Sequence, residues 1–147
     1  MKAKIICIQD SDKKFNTPIQ EYLKRLDKNI EVINLKQEKN WTTDQIAHKE
    51  TEKILKYTEK DNFFKILLDK EGKDITSKEL AWFFEKKNKI TFIIWWPHGL
   101  IKEKLQPQIN LEICFWKITI PHILTKLLLL EQIYRSKTIL ENKNYHY

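Results

Sequence analysis

Short apolar runs alternate with longer stretches that are apolar on one helical face. Lys4 to Ile8 is apolar and partly β-branched, followed by the polar stretch Gln9 to Lys14, which predicts a buried strand and a turn. Thr17 as N-cap, Pro18 at the first helical position and Gln20 three residues after the cap predict a helix start. Ile19, Tyr22, Leu23 and Leu26 then form its apolar stripe. Ile30 to Leu35 alternates less regularly and suits a strand near a sheet edge. Thr42 with Gln45 repeats the capping pattern before a long, charged surface helix through Ile46, Lys49, Lys53, Leu55 and Tyr57 that ends near Lys60. Phe63 to Leu68 predicts a third strand, stopping at Asp69 and turning through Gly72. Thr76 with Glu79 caps a helix that turns Leu80, Phe83 and Phe84 inward, and Ile90 to Ile94 is the most apolar strand.

Downstream the pattern weakens. After a stretch containing Pro107, Lys117 to Ile120 reads as a last short strand, Pro121 and His122 turn the chain, and a helix runs from about Leu124 to Leu140. Strands alternating with helices of this length predict one α/β domain over residues 1–147, with a mostly parallel sheet covered on both faces. Such sheets bind ligands at the carboxyl ends of their strands. The last helix carries Leu124, Leu127, Leu128, Leu129, Leu130, Ile133 and Ile139, and is apolar nearly all round. A surface helix shows one stripe, so this one is either central or buried between subunits, and a homodimer is the economical expectation.

Charge narrows the class of partner. Lys and Arg outnumber Asp and Glu by 27 to 20, a formal +7. That balance favours a polyanion such as RNA, DNA or acidic lipid; the plain alternative is a solubilising surface. Arg135, Lys126 and Lys137 on or near the last helix, with Lys13, Lys14, Lys24, Arg25, Lys102 and Lys104, are candidates for a basic face. Arg135 has an alternative partner in Glu131, one helical turn earlier. Cys7 and Cys114 each lie in an apolar run and are not spaced as a metal or disulfide pair, which predicts a reduced, cytoplasmic setting and no metal. The apolar runs after Lys4 and after Lys126 are four residues long, too short for a signal peptide or a membrane span. The sequence has no P-loop or GxGxxG run, which argues against a nucleotide-binding regulator.

Three segments carry candidate chemistry: LDKEGK from Leu68, WWPHGL from Trp95, and ITIPHILTKLLLLEQIYR from Ile118, closed by Tyr145 and His146 near the C-terminus. Taken alone, the loop from Trp95 fits an ordinary turn with Gly99 in a left-handed conformation. In order and spacing, the three together resemble the RlmH family, small SPOUT-class enzymes that methylate N3 of a pseudouridine in bacterial large-subunit (23S) ribosomal RNA. The resemblance spans the whole chain and is most specific from Thr119 to Arg135, with its Pro121-His122 turn and its Glu131, Gln132 and Tyr134.

The resemblance implies a trefoil-knotted α/β fold that binds S-adenosylmethionine in a bent form at the knot. It also implies a dimer in which the tail of one protomer lies beside the pocket of the other. The implied cofactor positions are Leu68, Trp95, Gly99, Phe115, Trp116, Lys117, Ile118, Thr119 and Ile120, acting mostly through backbone groups and apolar walls. Implied RNA contacts are Arg135, Tyr145 and His146, with 23S rRNA or the assembled ribosome as partner. Methyl transfer needs the acceptor nitrogen held against the sulfonium methyl and a base for the imino proton. His122, and His146 reaching across from the second protomer, are the candidate bases. Each has a plain alternative, His122 as a helix cap and His146 as a solvated tail residue.

The chain departs from the family at the pocket. Trp95 and Trp96 stand where the family has two glycines, Trp116 where a small residue is typical, and Gln9 where a glycine follows the first strand. Indole blocks the close backbone approach that glycine permits, so the alternative function is a catalytically inactive knotted RNA- or ribosome-binding protein. The chain also has two glycines and five tryptophans, where usage of about 7% would give roughly ten glycines. A gene in which UGA encodes glycine, translated with tryptophan at UGA, would show this exchange. UGG at both 95 and 96 would end that idea, and it accounts neither for Gln9 nor for Trp82, which falls in a predicted helix.

Overall fold

The structure, a computed structural model, describes residues 1–9, 13–95 and 99–145. Strands β1 (Lys2–Ile8), β2 (Ile30–Leu35), β3 (Phe64–Asp74), β4 (Lys89–Ile94) and β5 (Leu111–Cys114) form one sheet in the order β2-β1-β4-β3-β5, with every pairing parallel. Side chains alternate across a strand, and here both faces are covered. Ile5, Cys7, Ile66, Phe92 and Ile113 enter one core, while Ile6, Ile8, Leu67 and Ile93 enter the other. Burial on both faces explains why β4, at the centre, reads as a continuous apolar run. β2 lies at an edge, as its looser alternation predicts.

Helices α1 (Asn16–Leu26), α3 (Ser77–Lys87) and α5 (His122–Leu140) cover the first core, and α2 (Thr43–Thr58) and the short α4 (Lys102–Leu105) cover the second. The capping boxes at Thr42/Gln45 and Thr76/Glu79 form as predicted. Thr17, however, lies inside α1, whose N-cap position is Phe15 and makes no side-chain cap bond. Pro18 is tolerated at the third helical position because first-turn amides have no intrahelical acceptor to lose. α2 buries Ala47, Thr51 and Ile54, so its charged sequence hides a narrow packed face. α5 packs on α1 and α3 and buries Leu129, Leu130 and Ile133, making it central to the chain's own core.

Two strand expectations need correction. Residues 117–120 are irregular, and the last strand is Leu111–Cys114. Ile118 is 69% exposed and its neighbours Lys117 and Thr119 are exposed too, so these side chains do not serve a sheet face. β3 does not stop at Asp69. It breaks register between Leu68 and Lys73, then rejoins β5 through Lys73 and Asp74. Gly72 permits this, since a Cβ there would lie 2.6 Å from the Ile113 carbonyl carbon.

The connections create a crevice. The chain leaves β3 for α3 on one face and leaves β4 for α4 on the other, so the loops after these neighbouring strands diverge. Among the described residues no helix is long and apolar enough to cross a membrane.

Candidate functional site

The crevice at the carboxyl ends of β3, β4 and β5 is a cavity of about 550 Å³. Leu68 and Asp69 come from β3, Ile94 and Trp95 from the end of β4, Cys114 from β5, and His122 and Thr125 from the first turn of α5. The loop between β5 and α5 closes it with Phe115, Trp116, Ile118, Thr119 and Ile120. The three segments separated in sequence therefore meet at one place. Trp95 is half-buried and packs against the second core, and Trp116 is 43% exposed with its ring edge-on to Phe115. Both indoles line the cavity, which keeps its volume of about 550 Å³ with them in place.

The closing loop is held at its start. The buried Cys114 thiol donates to the Trp116 carbonyl at 2.9 Å, and burial pushes its pKa up, which keeps the proton needed for that bond. Among the described residues no backbone–backbone hydrogen bond is made by residues 116–120. Apart from the Trp116 carbonyl, which holds the Cys114 thiol, their amides and carbonyls are therefore available to a ligand. α5 begins without a side-chain cap, Pro121 occupying the N-cap position, so His122 does not cap that helix.

Asp69 is a member of the site that the strand-stop reading passed over. Its carboxylate is buried, accepts from the Glu71 amide at 3.0 Å and pairs with Lys102 at 2.9 Å; Lys102 also reaches Glu112 at 2.7 Å. This network ties the chain after β4 to β3 and β5 beneath the cavity. Burial alone would raise the Asp69 pKa, but the bonds from Lys102 and the Glu71 amide outweigh it and hold the carboxyl below its ordinary value. Its bonds to Asp69 and Glu112 push Lys102 up to about 12. No sequence spacing links 69, 102 and 112, so only the fold brings them together. Asp69→Ala is expected to cost about 1–3 kcal/mol in urea melts at pH 7. The low end is favoured because Lys102 is 39% exposed and keeps Glu112. A carboxyl whose pKa is depressed on folding stabilises above its unfolded value and loses that effect as pH falls through its folded value. The difference between wild type and variant should therefore shrink below about pH 4, and equal melts at pH 7 would sink the assignment.

Other expected site residues lie elsewhere. Gly99 has φ +103°, the left-handed conformation its turn requires, and does not line the cavity; neither does the exposed Lys117. Trp96 and His146 lie outside the described residues. Arg135 holds Glu131 through Nε at 2.9 Å and Nη2 at 2.6 Å, the helical-turn pairing. Its guanidinium sits 5.2 Å over the Tyr145 ring, and Tyr145 meets Tyr134 edge-on at 5.0 Å. Tyr134 is twelve residues beyond His122 in α5, about 18 Å at 1.5 Å per residue. The Arg135–Tyr145 cluster is thus remote from this chain's own cavity. The basic face is also thinner than the charge count suggests. Lys126 is buried and donates to Asn34 Oδ1 at 2.7 Å, Lys104 pairs with Glu52 and Arg25 with Glu21.

Comparison with known proteins agrees with this arrangement. The family described as "Predicted SPOUT methyltransferase" matches residues 1–146. The chain is 37% identical to ribosomal RNA large subunit methyltransferase H of Fusobacterium nucleatum, over 99% of each protein. It is also 37% identical to the protein of that name in Mycoplasma capricolum, again over 99% of each. With the one in Caldicellulosiruptor saccharolyticus it shares 35% identity over 97% of this chain and 98% of the relative. With the match spanning the fold and all three cavity segments, the chain belongs to the SPOUT methyltransferase family.

Proposed function

We propose that this protein is an S-adenosylmethionine-dependent methyltransferase that modifies N3 of a pseudouridine in large-subunit (23S) ribosomal RNA. In this reading it works in the cytoplasm as a homodimer with the trefoil knot of its class. The observation that carries the reading is the cavity formed by Leu68, Trp95 and the 115–120 loop at the strand ends. Its volume of about 550 Å³ falls in the range of about 300–1,000 Å³ usual for small-molecule sites. Leu68, Ile118 and Ile120 offer an apolar seat for a flat base, the unpaired backbone of residues 117–120 offers hydrogen bonds, and the ionised Asp69 suits a cationic ligand. The residues present fit the cofactor.

When bound, S-adenosylmethionine supplies an electrophilic methyl group on a sulfonium. The chain's own work is then mostly positioning: the loop and β4 end fix one reactant while the apolar walls exclude water. His122, at the cavity and at the start of α5, is the group placed to take the imino proton of the acceptor. Because Arg135 lies so far along α5 and Tyr145 sits against it, these two reach a cavity only from a second copy. That separation supports the homodimer and their role in holding RNA.

A cavity of about 550 Å³ that persists with Trp95 and Trp116 in its lining favours the catalytic reading over an inactive ribosome-binding protein. Calorimetric titration with S-adenosylmethionine should show saturable binding, and ribosomes lacking the modification should gain a methyl group at pseudouridine N3, read by mass spectrometry. Absence of cofactor binding would leave the inactive reading. His122→Ala is expected to lower kcat roughly a hundredfold while cofactor binding persists; undiminished methylation removes His122 as the base.

A further inference from the structure

At the opposite, amino-terminal end of the sheet lies a groove of about 660 Å³ that the methyl-transfer reading does not use. Phe63, Phe64 and Lys65 at the start of β3, Lys87 at the end of α3, Lys89 at the start of β4 and Gln108 form its working surface. Asp61 locks the floor, pairing with Lys4 at 3.0 Å and Lys65 at 3.3 Å and accepting from Thr91 Oγ1 at 3.0 Å. Lys87 and Lys89 are exposed and, among the described residues, have no carboxylate within ion-pair distance. Each ammonium is instead placed over a ring, Lys87 4.9 Å from the centre of Phe64 and Lys89 5.7 Å from that of Phe63. Phe64 is itself stacked on Phe83 at 6.1 Å. Ring faces orient a cation without neutralising it, so two positive charges are held in place beside the two rings.

A second observation concerns a neutral group. The Gln108 side-chain oxygen is buried with no hydrogen-bond donor among the described residues, a cost that a ligand carrying a donor would remove. A ligand with both anionic oxygens and a hydroxyl donor satisfies both features. Ribose phosphate has this composition, its 2′-hydroxyl providing the donor. Cations interleaved with aromatic rings are also the pattern by which proteins hold nucleic-acid backbone. Glu59 on the rim is the acid that opposes binding, and Asp61 is already engaged.

We propose that this groove is a second RNA-contact surface, gripping ribose–phosphate backbone of the same ribosomal substrate through Lys87, Lys89 and Gln108. The inference rests on the ribosomal RNA reading above. β4 is six residues long, so the groove and the methyl-transfer cavity are about 20 Å apart at 3.3 Å per residue. The groove therefore contributes affinity and orientation and leaves the chemical step alone.

The test is ribosome binding by the full chain across a salt series, beside cofactor titration and methyl-transfer kinetics. Lys87→Glu with Lys89→Glu should weaken ribosome binding at least tenfold and flatten the dependence of log affinity on log salt by about 2, close to one for each phosphate no longer neutralised. KM for ribosomes should rise, while kcat and cofactor affinity stay at wild-type values. Lys87→Arg with Lys89→Arg should bind like wild type, and the double alanine variant should weaken binding less than the double glutamate. Unchanged affinity and salt slope in the glutamate variant would overturn the groove alone. Loss of polyglutamate binding with ribosome binding intact would also overturn it, in favour of an acidic protein partner. A wild-type chain that neither binds nor methylates ribosomes would overturn the functional reading and this inference with it.

Discussion

Gly72→Ala is expected to cost at least about 3 kcal/mol of folding stability and to remove cofactor binding. The added Cβ would meet Ile113 carbon at 2.6 Å, Ile113 nitrogen at 2.7 Å and Glu112 carbon at 2.8 Å, all backbone atoms. A flexible side chain could swing away, but backbone within a sheet cannot, so relief requires β3 and β5 to part after Leu68. Overpacking a core commonly costs about 1–3 kcal/mol, and a clash with fixed backbone belongs at or above the top of that range. Function suffers through the same movement, because the register break at 68–73 places Asp69 against Lys102 beneath the cavity. Gly99→Ala is the informative control. Its φ of +103° imposes strain, about 1–2 kcal/mol, but the nearest atom to the added Cβ is Ala47 Cβ at 3.9 Å. That variant should be destabilised yet still bind cofactor. Urea melts and calorimetry on the pair decide the matter, and a Gly72→Ala protein that melts with wild type would show that the close strand approach does not constrain the site.

Local signals with a mechanism were legible before the fold was known. The capping boxes at Thr42 and Thr76 each place a hydroxyl before the helix and a Gln or Glu three residues on, and both form. Thr17 shows the same spacing and does not cap, because the helix begins at Asn16 and Thr17 falls inside its first turn. The central strand was plain because burial on both faces leaves no polar position in its last three residues. The 117–120 run looked similar and is a loop. Its apolar residues stand at a cavity wall, and periodicity over four residues cannot separate that from a short strand. What the sequence could not show was pairing at a distance. The brace of Asp69, Lys102 and Glu112 and the groove around Lys87 and Lys89 join residues that only the strand order brings together.

Trp95→Gly should move stability and cofactor affinity in opposite directions. The indole packs against the second core, and truncating a half-buried tryptophan to glycine should cost about 2–3 kcal/mol. The same change lets backbone at the end of β4 approach a ligand, and cofactor affinity should rise about tenfold, or ~1.4 kcal/mol. If wild type binds no cofactor and Trp95→Gly restores binding, the indole is what separates this chain from an active enzyme. If affinity does not change, the wall formed by Trp95 is not an obstruction. The tryptophan pattern gives this residue further weight. Tryptophan is among the more buried residue types, yet Trp41 and Trp116 are 49% and 43% exposed. The two glycines, meanwhile, occupy the close strand approach at Gly72 and the left-handed turn at Gly99. Reassigned UGA codons would produce this distribution, with glycine in the natural protein wherever the gene reads UGA. The expected result is UGA at 95 and 96 and, in protein isolated from its own cell, an intact mass reduced by one tryptophan-to-glycine difference for each such codon. UGG at both positions would fix the two indoles as native and leave Trp95→Gly as the measure of what they do to the cofactor site.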